Sequence, residues 1–432
     1  MKFFFPDSQD FVDESFDFAT EKRSESRIRQ QDDAYPHDVF SPPPYDGLLV
    51  SKAVVDGRDV GSGKYTVGQQ QRLLRVGVRE YFRLQESQLE TMGDCGAFSY
   101  VRETVPPYTA EEVAYFYHQC GFDYGLSVDH VILQYAERFD QQLTGIDLVP
   151  KEWRERQELT LRLAQEFWDC HRRRRYAFTP IGVAQGWSPR SYRHAVEQLQ
   201  KIGYRYIAFG GFVPLKTSDI LATLKEASQA RLPETCFHLL GITRCENVEA
   251  FRSYGAASFD STSPLRKAFK DEKHNYYTPT RTYSAIRVPQ VDANPKLLRR
   301  ITAGQVDQQL ARSLEQECLR LLTEYDSGRV DIEAVLDALA RYERLHDGLI
   351  DRTLRYRDVL QDRPWKNCPC EVCTRLGIHV IIFRGAERNR RRGYHNLYEF
   401  YRHLSHDLLP TRITNGNYSP EQELASTHEQ QT

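Results

Sequence analysis

Three cysteines fall within six residues of the stretch NCPCEVCTRLG, at Cys368, Cys370 and Cys373. Thiolates at C-x-C-x2-C spacing suit zinc, and a closed tetrahedral site needs one further donor. Two histidines follow, His379 and His395. His379 lies in IHVIIF, an alternating apolar run that reads as a strand. His395 opens the amphipathic helix pattern RRRGYHNLYEFYRHL, and a hairpin between Cys373 and that helix would return it to the cluster. His395 is therefore the expected fourth ligand. Four protein ligands leave no open position, so the expected cofactor is a structural Zn2+ rather than a catalytic one. Unligated thiols in a reducing compartment are the alternative.

A second group of chemistry-bearing residues sits just after short apolar runs: Gln185, Gly210, Gly211, Gly241 and Asp260. Those runs alternate with helical patterns. YAFTPIGVAQG reads as a strand and SPRSYRHAVEQLQKIG as a helix with a Ser188 cap and a glycine stop. YRYIAFGGF with KTSDILATLKEASQA, then CFHLLGI with CENVEAFRSYG, repeat the pair, and GAASFD begins another. Such alternation indicates an α/β protein with a parallel sheet. Because several strands contribute candidates at their C-terminal ends, an irregular (β/α)8 TIM-like barrel is expected over a doubly wound open sheet, with an inserted zinc-binding subdomain and a helical insertion.

Residues 1–45, acidic and then proline-rich, read as an N-terminal arm that wraps the body. The main part of the barrel is expected over 46–290, and two or three charged amphipathic helices over 291–362. The zinc-binding subdomain and barrel closure are expected over 363–415, and a disordered polar tail over 416–432. Over 432 residues the chain is 40% hydrophobic and 27% charged with a net charge of -2, so any surface for a polyanion must be local. No apolar run approaches a membrane span, and MKFFFPDSQD is too short and too quickly acidic for a signal peptide. Of nine cysteines, six are scattered without paired spacing. That fits a reducing cytoplasm.

CPCEVC followed by YHNLYEF resembles the zinc subdomain of the tRNA-guanine transglycosylases, and the resemblance continues over roughly residues 85–290 and 363–405. Members of that family are irregular (β/α)8 barrels that exchange guanine in a nucleic acid for a 7-deazaguanine base. Such base exchange needs a nucleophile below the sugar and an acid or base near the departing ring, and two carboxylates suit it. The resemblance implies Asp260, in SFDSTSPLR, as nucleophile and Asp94, in GDCGAFS, as general acid/base. It further implies that Asp129, in GLSVDH, reads the Watson–Crick edge of guanine and that Gln185 donates to the base O6. Gly210 and Gly211 would let the backbone approach a flat ring. Phe98 would line or stack on the pocket, a core aromatic being the alternative. Cys95, Ala97 and Ser99 depart from the serine, glycine and glutamine of the transfer-RNA enzymes, which opens the identity of the incoming base.

The wording FFFPDSQDFVD, GGFVPLKTSDI and GAASFDSTSPLRKAF is similar to the DpdA branch. That resemblance implies double-stranded DNA as the polymer, 7-cyano-7-deazaguanine (preQ0) as the incoming base, and a possible partner ATPase. Transfer RNA as substrate is the alternative, and a non-catalytic nucleic-acid-binding subunit the second. Basic stretches that could meet phosphates are HRRRRY at 171–176, Arg266 and Lys267, and RNRRRGYHN with Arg390, Arg391 and Arg392.

Overall fold

Eight short runs rich in β-branched, aromatic and small residues form one parallel sheet. They are β1 (Lys2–Pro6), β2 (Gly47–Ser51), β3 (Glu90–Asp94), β4 (Tyr124–Leu126), β5 (Thr179–Ala184), β6 (Tyr206–Phe209), β7 (Cys236–Leu239) and β8 (Ala256–Asp260). The sheet closes on itself, β1 pairing with β8 on one side and β2 on the other, with Phe4 opposite both Asp260 and Gly47. Closure removes both sheet edges and excludes the open doubly wound alternative. The computed structural model describes residues 1–58, 65–141, 148–347 and 350–406. The tail expected to be disordered, 416–432, lies outside the described residues.

Two expectations are corrected. Lys2–Pro6 is a barrel strand rather than the start of an arm, and the barrel is closed by that strand rather than by residues 363–415. The reason lies in Phe3-Phe4-Phe5. A parallel barrel strand is covered on both faces, so three consecutive apolar residues can all be buried without alternating. The last barrel strand ends at Asp260, short of the expected 290.

Inside the barrel the strands contribute Phe4, Leu49, Met92, Leu126, Ile181, Val183 and Ala208 to one apolar cluster, with Tyr124 and Tyr206 packed against it. Surrounding helices include α1 (Val67–Tyr81), α2 (Ala110–Cys120), α3 (Lys151–Arg174), α4 (Pro189–Ile202), α5 (Thr217–Gln229) and α6 (Val248–Ser253). The Ser188 side chain accepts from Ser191 N–H, capping α4 where the sequence places the cap, and Gly203 ends the helix. Helix α2 docks through the buried Tyr117. Its ring lies where a Cβ on Gly93 or Gly125, in neighbouring strands, would come within 2.3 or 2.4 Å of it.

Among the described residues the chain divides into two compact units, one built from Met1–Gln9 and Tyr45–Thr262, the other from Asp10–Pro44 and residues 263–406. The second unit contains α7 (Ser263–Lys270), α8 (Pro295–Thr302), α9 (Gln308–Asp326), α10 (Ile332–Asp347), α11 (Thr353–Asp362) and α12 (Gly385–His406). Among the described residues, the region 291–362 thus holds four α-helices where two or three are expected. The turn between α8 and α9 runs through Gly304 at φ +68°, which splits one apparent periodic run.

Gly93→Ala is expected to force Tyr117 out of its notch and destabilise the barrel by about 1–3 kcal/mol. A urea midpoint equal to that of the parent would show that the notch is not tight.

Candidate functional site

Parallel strands of a barrel all end on one face, and in this unit that face carries acids. Asp94 ends β3, Asp260 ends β8, and Asp129 lies three residues past β4. Gln185 follows β5 directly, and Gly210 follows β6. Asp129, Gln185 and Asp260 are buried, as is Cys95.

Asp129 and Gln185 are locked together. The Ile132 N–H donates to Gln185 Oε1 at 3.1 Å, so the amide nitrogen must face the other way, and Nε2 donates to Asp129 Oδ2 at 2.6 Å. Cys95 Sγ donates to Asp129 Oδ1 at 3.2 Å, and the Tyr100 hydroxyl reaches Cys95 Sγ at 3.1 Å. Gly210 makes this possible. A Cβ there would sit 2.1 Å from Gln185 Nε2, so the amide lies flat on bare backbone. Gly211 adopts φ +76°, and its Cβ would meet Ile132 O at 2.5 Å. One amide N–H of Gln185 is committed to Asp129.

Three carboxyls in one water-poor pocket cannot all hold a charge cheaply. Burial, then the charges of Asp129 and Asp260, push Asp94 up to about 7 against the pull of the Gly96 N–H. Burial raises Asp129 to about 6, its bonds from Cys95 and Gln185 working the other way. Burial, with Asp129 and Asp94 nearby, drives the Cys95 thiol well above its ordinary range, so it stays a donor. Asp260 Oδ1 accepts from Gly241 N–H at 3.1 Å and lies 3.1 Å from His238 Nε2. Of the two shifted acids, Asp94 keeps its proton to the higher pH.

A protein of Salmonella montevideo named DNA-guanine transglycosylase is 51% identical to this chain over 412 residues, 94% of this chain and 97% of that protein. The chain belongs to the DNA-guanine transglycosylase family. The closed parallel barrel fits the wider tRNA-guanine transglycosylase superfamily, as the resemblance of the cysteine motif implies. No protein-family model matches the sequence.

The cysteine cluster of this family member lies in the second unit. Cys368, Cys370, Cys373 and His395 offer ligand atoms that all lie within 4.8 Å of one another, a group able to hold a metal ion. His395 Nδ1 is 3.5, 3.5 and 3.3 Å from the three sulfurs. Bonds of about 2.0–2.3 Å in a tetrahedron give edges near 3.6 Å, so the set fits. His395 Nε2 is 2.7 Å from Tyr277 O, which fixes the proton on Nε2 and leaves the Nδ1 lone pair for a metal. The Tyr276 ring stacks on the imidazole at 4.0 Å. His395 sits inside α12 rather than at its start, because the helix already begins at Gly385.

Several expected contacts fall elsewhere. Phe98 is 50% exposed, which excludes a core role. The run at 388–392 does not form one basic face. Successive helical residues turn about 100° apart, and Arg388 and Arg392 point inward. Arg392 is fully buried and donates to Val380, Ile382 and Ala268 carbonyls, so it is withdrawn from any phosphate contact. Arg391, 11% exposed, pairs with Glu387 and donates to Asp13 O at 2.6 Å, and Arg390 bonds Phe11 O. Arg172 to Arg175 are exposed at the C-terminal end of α3. That end precedes β5, so it lies on the barrel face opposite the carboxylates. Arg266 is exposed and Lys267 partly so, both on α7.

The sequence reading misses His238. In the strand CFHL it alternates with Phe237 as a core residue would, and Ser258 and Asp260 lie on another strand, so neither segment alone marks its role.

Asp94 supplies a stability test. Its proton is held to about pH 7 in the folded chain but leaves near 3.8 when unfolded. Stability present below that lower value is therefore lost as pH rises to about 7. Asp94→Asn should flatten this slope and leave the variant more stable at pH 8 by on the order of 1 kcal/mol. Urea titrations at pH 4 and pH 8 with parallel changes in both proteins would contradict the assignment.

Proposed function

We propose that this protein exchanges guanine in DNA for a 7-deazaguanine base, 7-cyano-7-deazaguanine, through a covalent aspartyl–glycosyl intermediate, as a pentosyltransferase. The observation that carries the reading is the division of labour among the acids. One carboxyl, Asp94, keeps its proton to about pH 7, while Asp260 has one oxygen held by two neighbours. The printed name of the Salmonella montevideo relative supports guanine as the base and DNA as the polymer.

In this mechanism the target nucleotide is flipped out of its stack into the barrel end. An Asp260 oxygen lone pair forms the bond to C1′ as the C1′–N9 bond breaks. The electron pair goes to guanine N9, which takes the proton of Asp94. Guanine leaves. The incoming base gives its N9 proton to Asp94 and attacks C1′, and Asp260 departs as carboxylate. Asp129 and the second Gln185 N–H read the base edge, Gly210 and Gly211 bound that pocket, and Phe98 supplies an exposed ring for stacking. Arg266 and Lys267 stand as phosphate contacts, with Arg390 in a lesser role. A partner ATPase that opens the duplex is compatible with the need to flip a base. The metal at the Cys3His group is proposed to be Zn2+ in a structural role, holding that part of the second unit together.

Incubation with DNA and, separately, transfer RNA, followed by mass spectrometry of nucleosides, tests the reading. Deazaguanine deoxynucleosides are expected in DNA, absent with Asp260→Ala and falling in rate above about pH 7 as Asp94 loses its proton. Product in transfer RNA alone would move the substrate to RNA. No product in either polymer, with parent and variant alike, would favour a non-catalytic binding subunit.

Metal analysis should find one zinc per chain. Cys373→Ser is expected to lose it and to lower the melting temperature by about 5–10 °C. A metal-free parent protein with unchanged melting would reject the structural zinc.

A further inference from the structure

Behind Asp260 the barrel interior is polar. His238 on β7 and Ser258 on β8 are both fully buried. His238 Nε2 lies 3.1 Å from Asp260 Oδ1, and Nδ1 lies 2.6 Å from Ser258 Oγ. Ser258 Oγ in turn meets the Tyr206 hydroxyl. The direction of this chain follows from its end. A carboxylate oxygen only accepts, so Nε2 must carry hydrogen and donate. In a neutral ring Nδ1 then accepts, Ser258 donates to it, and Ser258 receives the Tyr206 proton. Ser258 thus accepts once and donates once, and only one imidazole tautomer fits.

We infer that His238 is a positioning residue for Asp260, its tautomer set by the Ser258–Tyr206 pair, and that it commits Oδ1 so that Oδ2 is the oxygen that attacks. This rests on the proposed role of Asp260 as nucleophile. Gly241 N–H and His238 Nε2 both engage Oδ1, and among the described residues no hydrogen bond reaches Oδ2. The carboxyl plane cannot rotate without breaking two bonds. When Oδ2 forms the ester to C1′, Oδ1 remains as its carbonyl oxygen and keeps both donors. When the incoming N9 displaces the ester, the electron pair of the C1′–Oδ2 bond returns to the carboxylate, and the same donors stabilise it. Donation to Oδ1 therefore orients Oδ2 for the attack and stabilises the carboxylate as it departs, without touching either base.

The sequence hides this arrangement because a histidine in an apolar strand looks like a core residue. What separates the two roles is the polar chain behind it. A histidine that only filled space would not need a serine and a tyrosine aligned on its far nitrogen.

The test compares His238→Phe with His238→Gln in exchange of labelled guanine into DNA, with Asp260→Ala alongside. Phe removes the donor. Gln places an amide N–H near the position of Nε2. The expected result is a kcat about 100-fold lower for Phe with KM for DNA and guanine unchanged, and recovery to within about 10-fold of the parent for Gln. Ser258→Ala, which keeps the imidazole but frees its tautomer, should lower kcat by about 10-fold at unchanged KM, and it serves if His238→Phe fails to fold. A His238→Phe protein with parental kcat beside an inactive Asp260→Ala overturns this inference alone. Equal loss in Phe and Gln variants overturns it too. Activity in Asp260→Ala overturns the reading on which it rests.

Discussion

The pairing of Lys2–Pro6 with the last barrel strand is the constraint on which the candidate site depends. Without it the sheet would have two open edges, and β3 and β8, which carry Asp94 and Asp260, would belong to opposite sides of an open layer. With it, Phe4 stands opposite both Asp260 and Gly47, and the strand ends form a ring. A ring of strand ends over an apolar plug of Phe4, Leu49, Met92, Leu126, Ile181, Val183 and Ala208 is a place from which water is largely excluded. Acids placed there must compete for what charge the pocket can hold.

How that competition is resolved explains the chemistry the pocket can support. Each acid receives a different set of donors. Asp129 has Gln185 and Cys95, and Asp260 has Gly241 and His238. Burial, and then the charges of both, push Asp94 up to about 7 against its bonds from Gly96 and Ser51. Similar side chains in one pocket are thereby given different surroundings, and Asp94 is the acid held protonated to the higher pH. The donors are themselves fixed by second contacts. Gln185 is oriented by Ile132 N–H, and His238 by Ser258.

The second unit solves a different problem, a helix whose inward face is polar. Arg388, Arg392, His395, Asn396 and Glu399 of α12 are all buried. Each has a partner within that unit. Arg392 takes backbone carbonyls, Asn396 bridges Asn275 O and Tyr277 N, and His395 joins the cysteines. Burial alone would raise Glu21, but Arg384 and Arg388 hold it at about 2. Glu21 is a half-buried charge held by its arginine partners, and removing Arg384 or Arg388 would leave it short of them.

Local pattern by itself determined a good deal. Strand–helix alternation with candidates after each strand pointed to a barrel, Ser188 marked its helix start, and the spacing of Cys368, Cys370 and Cys373 announced a metal group. These are short-range signals, carried by periodicity, capping and ligand geometry. The resemblance singled out Asp94, Asp129, Gln185 and Asp260, which the structure brings to one end of the barrel. Other features depended on distance in the chain. Phe3-Phe4-Phe5 has no periodicity that distinguishes an arm from a strand buried on both faces, so only closure revealed its place. The arginines at 388–392 read as a basic patch because a sequence does not state which side of a helix faces inward. His238 became visible only when β7 and β8 lay side by side, since hydrogen bonds between neighbouring strands have no signature in either strand alone.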